Sequence, residues 1–79
     1  MNQKQFELKM HRAKTLQSVS TKTVESAYWV GYMRGLRRAY HRENFGTESE
    51  HNKWMSLINE IDEQRKQMGI GYRAGLVEK

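Results

Sequence analysis

Apolar side chains recur along this chain at the three- and four-residue spacing that is typical of amphipathic helices. In the first segment, residues 2 to 16, the apolar positions are Phe6, Met10, Ala13 and Leu16. In the second segment, residues 24 to 42, one sector of roughly 100° on a helical wheel holds Trp29, Tyr32, Met33, Leu36 and Tyr40. The pattern therefore predicts two helices, each with one apolar stripe that faces a core.

Residues 43 to 50, with the sequence ENFGTESE, predict where one helix ends and the next begins. Gly46 can adopt the left-handed conformation that ends a helix, and Thr47 with Glu50 has the spacing of a capping box. A third helix is predicted over residues 48 to 68, with an apolar stripe of Trp54, Leu57, Ile58, Ile61 and Met68. Because the connection is short, we expect the second and third helices to form an antiparallel hairpin.

Composition narrows the fold to one small all-α domain. Proline and cysteine are absent and no strand-like alternation is visible, so the 79 residues predict a three-helix bundle built on the antiparallel hairpin. Residues 72 to 79 add a short fourth helix or a tail. Apolar residues never continue for the roughly 18 positions that a spanning helix needs, and no signal peptide is visible, so we expect a cytoplasmic protein without a membrane partner.

Charge is unevenly distributed along the chain. Residues 1 to 42 carry nine Lys or Arg against two acidic residues, a formal +7. Residues 43 to 79 carry five against seven, a formal −2, which leaves the chain at +5. Such an arrangement favours an anionic partner for the first half of the molecule.

The second helix carries the predicted binding surface. Away from its apolar stripe, basic residues accumulate with no acidic residue between Glu25 and Glu43. Arginine can donate two hydrogen bonds to a phosphate or carboxylate, and tyrosine can stack on bases or fill a pocket on a protein. We therefore expect unpaired cations that bind nucleic acid or a nucleoprotein complex, with help from the first helix. The predicted binding residues are Lys9, Arg12, Lys14, Tyr28, Arg34, Arg37, Arg38, His41 and Arg42.

An alternative function uses the same surface against a protein. Small inhibitors or adaptors of the kind that phages and plasmids encode, anti-CRISPR proteins among them, would dock through Arg and Tyr side chains on an acidic protein surface or on the nucleic-acid path of their target. The small size of the chain permits this function. A homodimer through Trp29 or Trp54 is a further alternative, because three short helices bury little surface.

Catalytic and metal-binding patterns are absent from the sequence. His11, His41 and His51 lie in three different segments and form no His-x-x-x-His pair. Neither a phosphate-binding glycine loop nor a nucleophile elbow occurs. We therefore expect no metal site, no cofactor and no enzymatic activity.

A six-residue pattern occurs twice, as GYMRGL at residues 31 to 36 and as GYRAGL at residues 71 to 76. Gly31 and Gly35 inside the second helix cost about 2 kcal/mol relative to alanine. Close approach of a helix, a backbone or a flat ligand would offset this cost, and ordinary helix packing is the favoured explanation. In the second copy, Gly69 and Gly71 are interpreted as the end of the third helix and a linker.

The repeated segments resemble the Gly-Tyr-x-x-Gly-apolar segment of the small bacterial ribosome modulation factor family. The resemblance covers these segments only, and the Cys-Pro-Tyr sequence associated with that family has no counterpart in a chain without Cys or Pro. Family members are basic two-helix proteins that bind ribosomal RNA and protein, so the resemblance implies a ribonucleoprotein partner. The matching positions are Gly31, Tyr32, Gly35 and Leu36 in the first copy and Gly71, Tyr72, Ala74, Gly75 and Leu76 in the second.

Overall fold

Four α-helices make up the computed structural model, which describes residues 1 to 78 apart from the side chain of Glu43. The helices are α1 (Gln3–Val19), α2 (Thr23–His41), α3 (Glu48–Ser56) and α4 (Glu63–Leu76), and 3-10 turns follow α2 and α3 at Arg42–Asn44 and Leu57–Asn59. The predicted all-α helical bundle is confirmed. None of the helices in the described part of the chain is long and apolar enough to cross a membrane.

Side chains cap the starts of α1 and α3. The Asn2 side chain accepts a hydrogen bond from the backbone N–H of Gln5 at 2.8 Å, and the Gln5 side chain accepts one from Asn2 at 3.0 Å. The capping box expected at Thr47 and Glu50 is confirmed, and Gly46 before it has the expected positive φ of 78°. These caps satisfy backbone N–H groups that have no partner within the helix.

The third helix is shorter than expected, and a fourth helix begins where the third was expected to continue. The prediction of one helix over residues 48 to 68 is wrong, because α3 ends at Ser56. The Asp62 carboxylate accepts a hydrogen bond from the backbone N–H of Arg65 at 2.9 Å and so caps a new helix. The apolar stripe did not reveal the break, because residues on both sides of it keep the spacing of a continuous helix.

α2 and α4 are in direct backbone contact, and glycines make this contact possible. A Cβ atom placed on Gly31 would lie 1.9 Å from the carbonyl oxygen of Met68. One placed on Gly35 would lie 2.0 Å from the carbonyl oxygen of Tyr72. No side chain fits at such distances. Since the opposing residue numbers rise together, α2 and α4 run in the same direction.

The contact between α2 and α4 is reciprocal. A Cβ atom on Gly71 would lie 1.9 Å from the carbonyl oxygen of Tyr28, and one on Gly75 would lie 2.2 Å from that of Tyr32. Each of these contacts is the counterpart of one made by α2, since the residues in the two sets differ by 40 positions, the spacing of the two hexapeptides. The two hexapeptides are therefore matching surfaces that pack on each other within one chain.

The interpretation of Gly69 and Gly71 as a helix end and a linker is wrong, because both lie inside α4. Gly69 faces the turn that precedes α4. A Cβ atom there would lie 2.7 Å from the backbone nitrogen of Ile58 and 2.8 Å from the Cβ atom of Leu57. The glycines of α4 therefore allow close packing on two sides of the same helix.

α1 and α2 form an antiparallel hairpin, a pairing that the sequence pattern did not predict. Phe6 near the start of α1 stacks on Tyr40 near the end of α2, with ring centroids 4.4 Å apart. Further along the pair, Ala13 of α1 and Trp29 of α2 line one groove. α3 reaches α2 through side chains in the expected antiparallel order, since Glu48 pairs with Arg38 and Glu50 with Arg34. The buried apolar residues are Ala13, Ala27, Met33, Leu36, Leu57 and Tyr72. This is a small core, and the Cα atoms extend only 15 Å along the shortest axis of the molecule.

Glu78 ties the end of the described chain to α1 and α2. Its carboxylate forms an ion pair with Lys9 and accepts a hydrogen bond from the Tyr32 hydroxyl at 3.1 Å. Burial, followed by the hydrogen bond to Glu78, raises the pKa of Tyr32 to about 12. The hydrogen bond from Lys9 lowers the pKa of the Glu78 carboxyl below its ordinary value of 4.5.

Replacing Gly35 or Gly71 with alanine is expected to lower the free energy of unfolding by about 3 kcal/mol or more, because the new methyl group overlaps a backbone carbonyl of the facing helix. Gly46→Ala is the matched control, since no atom outside residues 45 to 47 lies within 4 Å of a Cβ atom there. Its left-handed conformation alone costs about 1 kcal/mol. Urea denaturation measures all three variants, and equal losses would contradict the backbone contact.

Glu78→Gln is expected to destabilise the protein at about pH 7, and this difference from the native chain is expected to shrink as the pH falls below the ordinary pKa of a glutamate carboxyl. Because the folded-state pKa of Glu78 lies below its ordinary value, the ion pair stabilises the fold above that ordinary value. The contribution is lost as the pH falls through the folded-state pKa. Urea unfolding at several pH values measures the difference, and a constant difference would argue against the ion pair.

Candidate functional site

Arg34 reaches from α2 to α3. Its guanidinium lies 3.0 Å from the Glu50 carboxylate and stands over two aromatic rings, 4.8 Å from the centroid of Trp54 and 5.3 Å from that of Phe45. A planar guanidinium can stack on a ring and still donate hydrogen bonds at its edge, so both kinds of contact act together. Arg34 therefore fixes α3 and the loop before it on α2.

Arg38, one turn later, has a side chain that is only 12% exposed. One guanidinium nitrogen lies 3.1 Å from the Glu48 carboxylate, and another donates to the carbonyl oxygen of Phe45 at 3.1 Å. The expectation of unpaired cations is therefore wrong at Arg34 and Arg38. Acidic residues in the first turn of α3 are favoured by the helix dipole, but in the fold they also neutralise these two arginines of α2.

A polar pair joins α4 to α3 close to these arginines. The Tyr72 hydroxyl and the Nδ1 atom of His51 are 2.6 Å apart, and Tyr72 is 2% exposed. Burial raises the pKa of the Tyr72 hydroxyl, against the opposite effect of the positive charges on Arg38 and Arg34. Sequence reasoning missed this pair, because its members lie in different helices and belong to no motif that would connect them.

The basic residues of α2 that face solvent lie at its C-terminal end. Arg37, His41 and Arg42, called the terminal cluster below, are exposed. Arg37 and His41 are one turn apart on the same side of the helix. Among the side chains that the structure describes, no carboxylate forms an ion pair with any of the three. The positive charge that α2 offers to a partner is therefore concentrated at one end.

Arg42 has a backbone conformation that arginine rarely adopts. It follows α2 as the C-cap residue, with φ of 56° and ψ of −130°. Such a conformation costs about 1–3 kcal/mol for a residue with a side chain, and glycine would avoid the cost. Arg42 lines an open cleft together with Tyr40, His41 and Asn44.

Aromatic rings border the terminal cluster. Phe6 and Tyr40 stack with 9° between their planes, and the His41 ring meets them edge-on at centroid distances of 5.4 and 4.9 Å. Phe6 and Tyr40 are half-buried. Sequence reasoning assigned both to the core stripes and missed this group. The available signal was the run from Tyr40 to Arg42, where an aromatic residue adjoins two basic ones at a helix end.

The other predicted binding residues are not part of the terminal cluster. Lys9 is paired with Glu78. Arg12 and Lys14 are exposed, but the antiparallel packing of the hairpin places the middle of α1 beside the middle of α2. Tyr28 is half-buried near the start of α2, roughly 14 to 20 Å along the helix axis from the terminal cluster. The structure therefore separates the predicted set into groups with different surroundings.

Among the side chains that the structure describes, no three His, Asp or Glu residues are grouped so that they could hold a metal ion. His11 and His41 are exposed, and His51 is bonded to Tyr72. The chain matches no known protein-family model, no curated protein and no solved structure.

Proposed function

We propose that this protein is a non-enzymatic binding protein that engages nucleic acid or a nucleoprotein complex in the cytoplasm through the terminal cluster. The observation that supports the proposal best is the exposure of Arg37, His41 and Arg42 at one end of α2, with no ion-pair partner among the described carboxylates. An exposed arginine can donate two hydrogen bonds to one phosphate. Two exposed arginines at the same end of α2 suit a polyanion.

The charge of the whole chain supports the same conclusion. The net charge is +5, and the half of the chain that contains the terminal cluster carries a formal +7. The acidic residues of α3 that lie closest to α2 are already engaged by Arg34 and Arg38. The remaining field attracts a polyanion from a distance and orients it toward the basic end of the molecule.

The helix dipole explains part of the accumulation of basic residues at the end of α2. Carbonyl groups at the C-terminal end of a helix attract cations, and Arg38 and His41 lie in the last turn of α2. The helix dipole does not account for Arg37, which precedes the last turn, or for the conformation of Arg42. A ligand that binds these side chains accounts for both.

A second candidate function is that of a small inhibitor or adaptor, such as an anti-CRISPR protein, that docks on a protein and blocks it. Exposed apolar side chains favour this candidate, because protein interfaces bury such surface. Val77 is 74% exposed, Val19 68% and Leu8 50%. Capture of partners from a lysate separates the two functions: nuclease treatment releases a nucleic-acid partner and leaves a protein partner bound.

The Arg37→Ala/Arg42→Ala double variant is expected to bind short DNA and RNA probes at least about 10-fold more weakly than the native chain. Each lost phosphate contact also lowers the slope of log affinity against log salt concentration by roughly 0.7 to 0.9. Fluorescence anisotropy at several salt concentrations measures both quantities.

The Lys22→Ala/Arg65→Ala double variant is the matched control, because it removes the same charge from other sites. Lys22 is exposed before the start of α2, and Arg65 of α4 lies beside Glu60, which precedes that helix. We expect its affinity to stay within about threefold of the native value. Equal weakening in the two double variants would assign binding to net charge alone. A native chain that binds no probe at low salt would overturn the proposed function.

A further inference from the structure

We infer that the terminal cluster and the rings beside it form a site for single-stranded nucleic acid. In this site a base stacks on the aromatic group of Phe6, Tyr40 and His41, and the adjoining phosphates bind Arg37 and Arg42. The inference rests on the proposed function and names the ligand class of the same site.

The aromatic group has the form of a stacking platform. Phe6 and Tyr40 already form a stack with centroids 4.4 Å apart and 9° between the planes. In such a stack each ring covers one face of the other, and the outer face of each ring stays uncovered by the stack. Neither the Phe6 nor the Tyr40 side chain is buried. The exposed His41 ring contacts both of these rings edge-on. Any base can continue such a stack, because every base has a flat π-face.

Cationic and polar side chains lie beside the platform. Arg42 and Asn44 line the same open cleft as Tyr40 and His41. Arg37 lies one turn before His41 on the same side of α2. The two arginines are thus placed to reach the phosphates on either side of a stacked nucleotide. Asn44 is exposed, and its amide offers both a donor and an acceptor to the edge of a base.

The backbone conformation of Arg42 also supports a binding site here. Glycine is the residue that a C-cap position with positive φ favours, and the chain uses glycine at Gly46, where φ is also positive. Arginine at position 42 accepts strain that glycine would avoid. Strained residues of this kind concentrate at binding sites, and here the strained residue is a cationic one that lines the cleft beside the platform.

The platform favours a single strand over a duplex. Bases inside a duplex are stacked on one another, so their faces cannot reach a protein ring, whereas the bases of a single strand can turn outward and stack on it. Phosphate contacts alone would not distinguish the two forms. The combination of rings and arginines therefore predicts a preference that depends on unpaired bases.

Fluorescence anisotropy with four labelled probes tests this preference. The probes are oligo-dT and oligo-U of about 12 nucleotides, an abasic strand of the same length with the same phosphates, and a DNA duplex. We expect oligo-dT, oligo-U or both to bind at least about 10-fold more tightly than the abasic strand and the duplex, since one stacked base contributes about 5- to 150-fold. The ratio between oligo-dT and oligo-U shows whether DNA or RNA is the better source of the single strand.

Two variants locate the stacked base. Tyr40→Leu and His41→Ala are expected to reduce the preference for bases to less than about threefold, with the abasic strand bound as before. His41 is exposed, so its replacement removes only its edge-on contacts with the rings of Phe6 and Tyr40. Tyr40→Phe keeps the ring and Tyr28→Leu removes a tyrosine elsewhere on α2. Both are expected to retain the preference, and thermal unfolding checks that all variants fold.

The outcomes distinguish this inference from the proposed function. An abasic strand or a duplex that binds as tightly as oligo-dT and oligo-U overturns the inference and leaves the proposed function standing. A preference lost in Tyr28→Leu but kept in His41→Ala places the base elsewhere and also overturns the inference. If none of the four probes binds at low salt, both the inference and the proposed function fail.

Discussion

The backbone contact between α2 and α4 is the constraint on which the rest of this structure depends. Four glycines bring two parallel helices so close that an added Cβ atom would lie 1.9 to 2.2 Å from a carbonyl oxygen of the facing helix. The molecule is thin and its apolar core is small. Few large side chains are available for packing. The close approach of α2 and α4 therefore supplies packing through dispersion contacts between the two backbones.

The position of α4 decides what the other sides of α2 can contact. α4 occupies the glycine side, and α1 packs on the aromatic side. Tyr72 of α4 holds His51 of α3, and α3 in turn brings its first-turn carboxylates to Arg34 and Arg38. The terminal cluster lies beyond these contacts. The distribution of exposed charge is thus a result of helix packing as well as of the sequence pattern of α2.

Local signals in the sequence were sufficient to predict much of the fold, including α1, α2 and the capping box at Thr47. The helix break at Asp62 was missed, because the apolar spacing continues across it. The pair Gly31 and Gly35 predicted a close approach as one explanation. It did not predict that α4 is the segment that approaches, since pairing between distant segments leaves no periodic signal. For the same reason a helical wheel found the arginines of α2 and could not show that acidic residues of another helix pair with Arg34 and Arg38.

The central claim is that packing occupies two arginines of α2 and leaves the terminal cluster for a ligand. NMR of the arginine side-chain Nε–H groups during a titration with oligo-dT tests this claim most directly, because each arginine is observed separately. The account predicts shifts at Arg37 and Arg42, with the signals of Arg34 and Arg38 unchanged. Shifts at Arg34 and Arg38, with Arg37 and Arg42 unchanged, would contradict it.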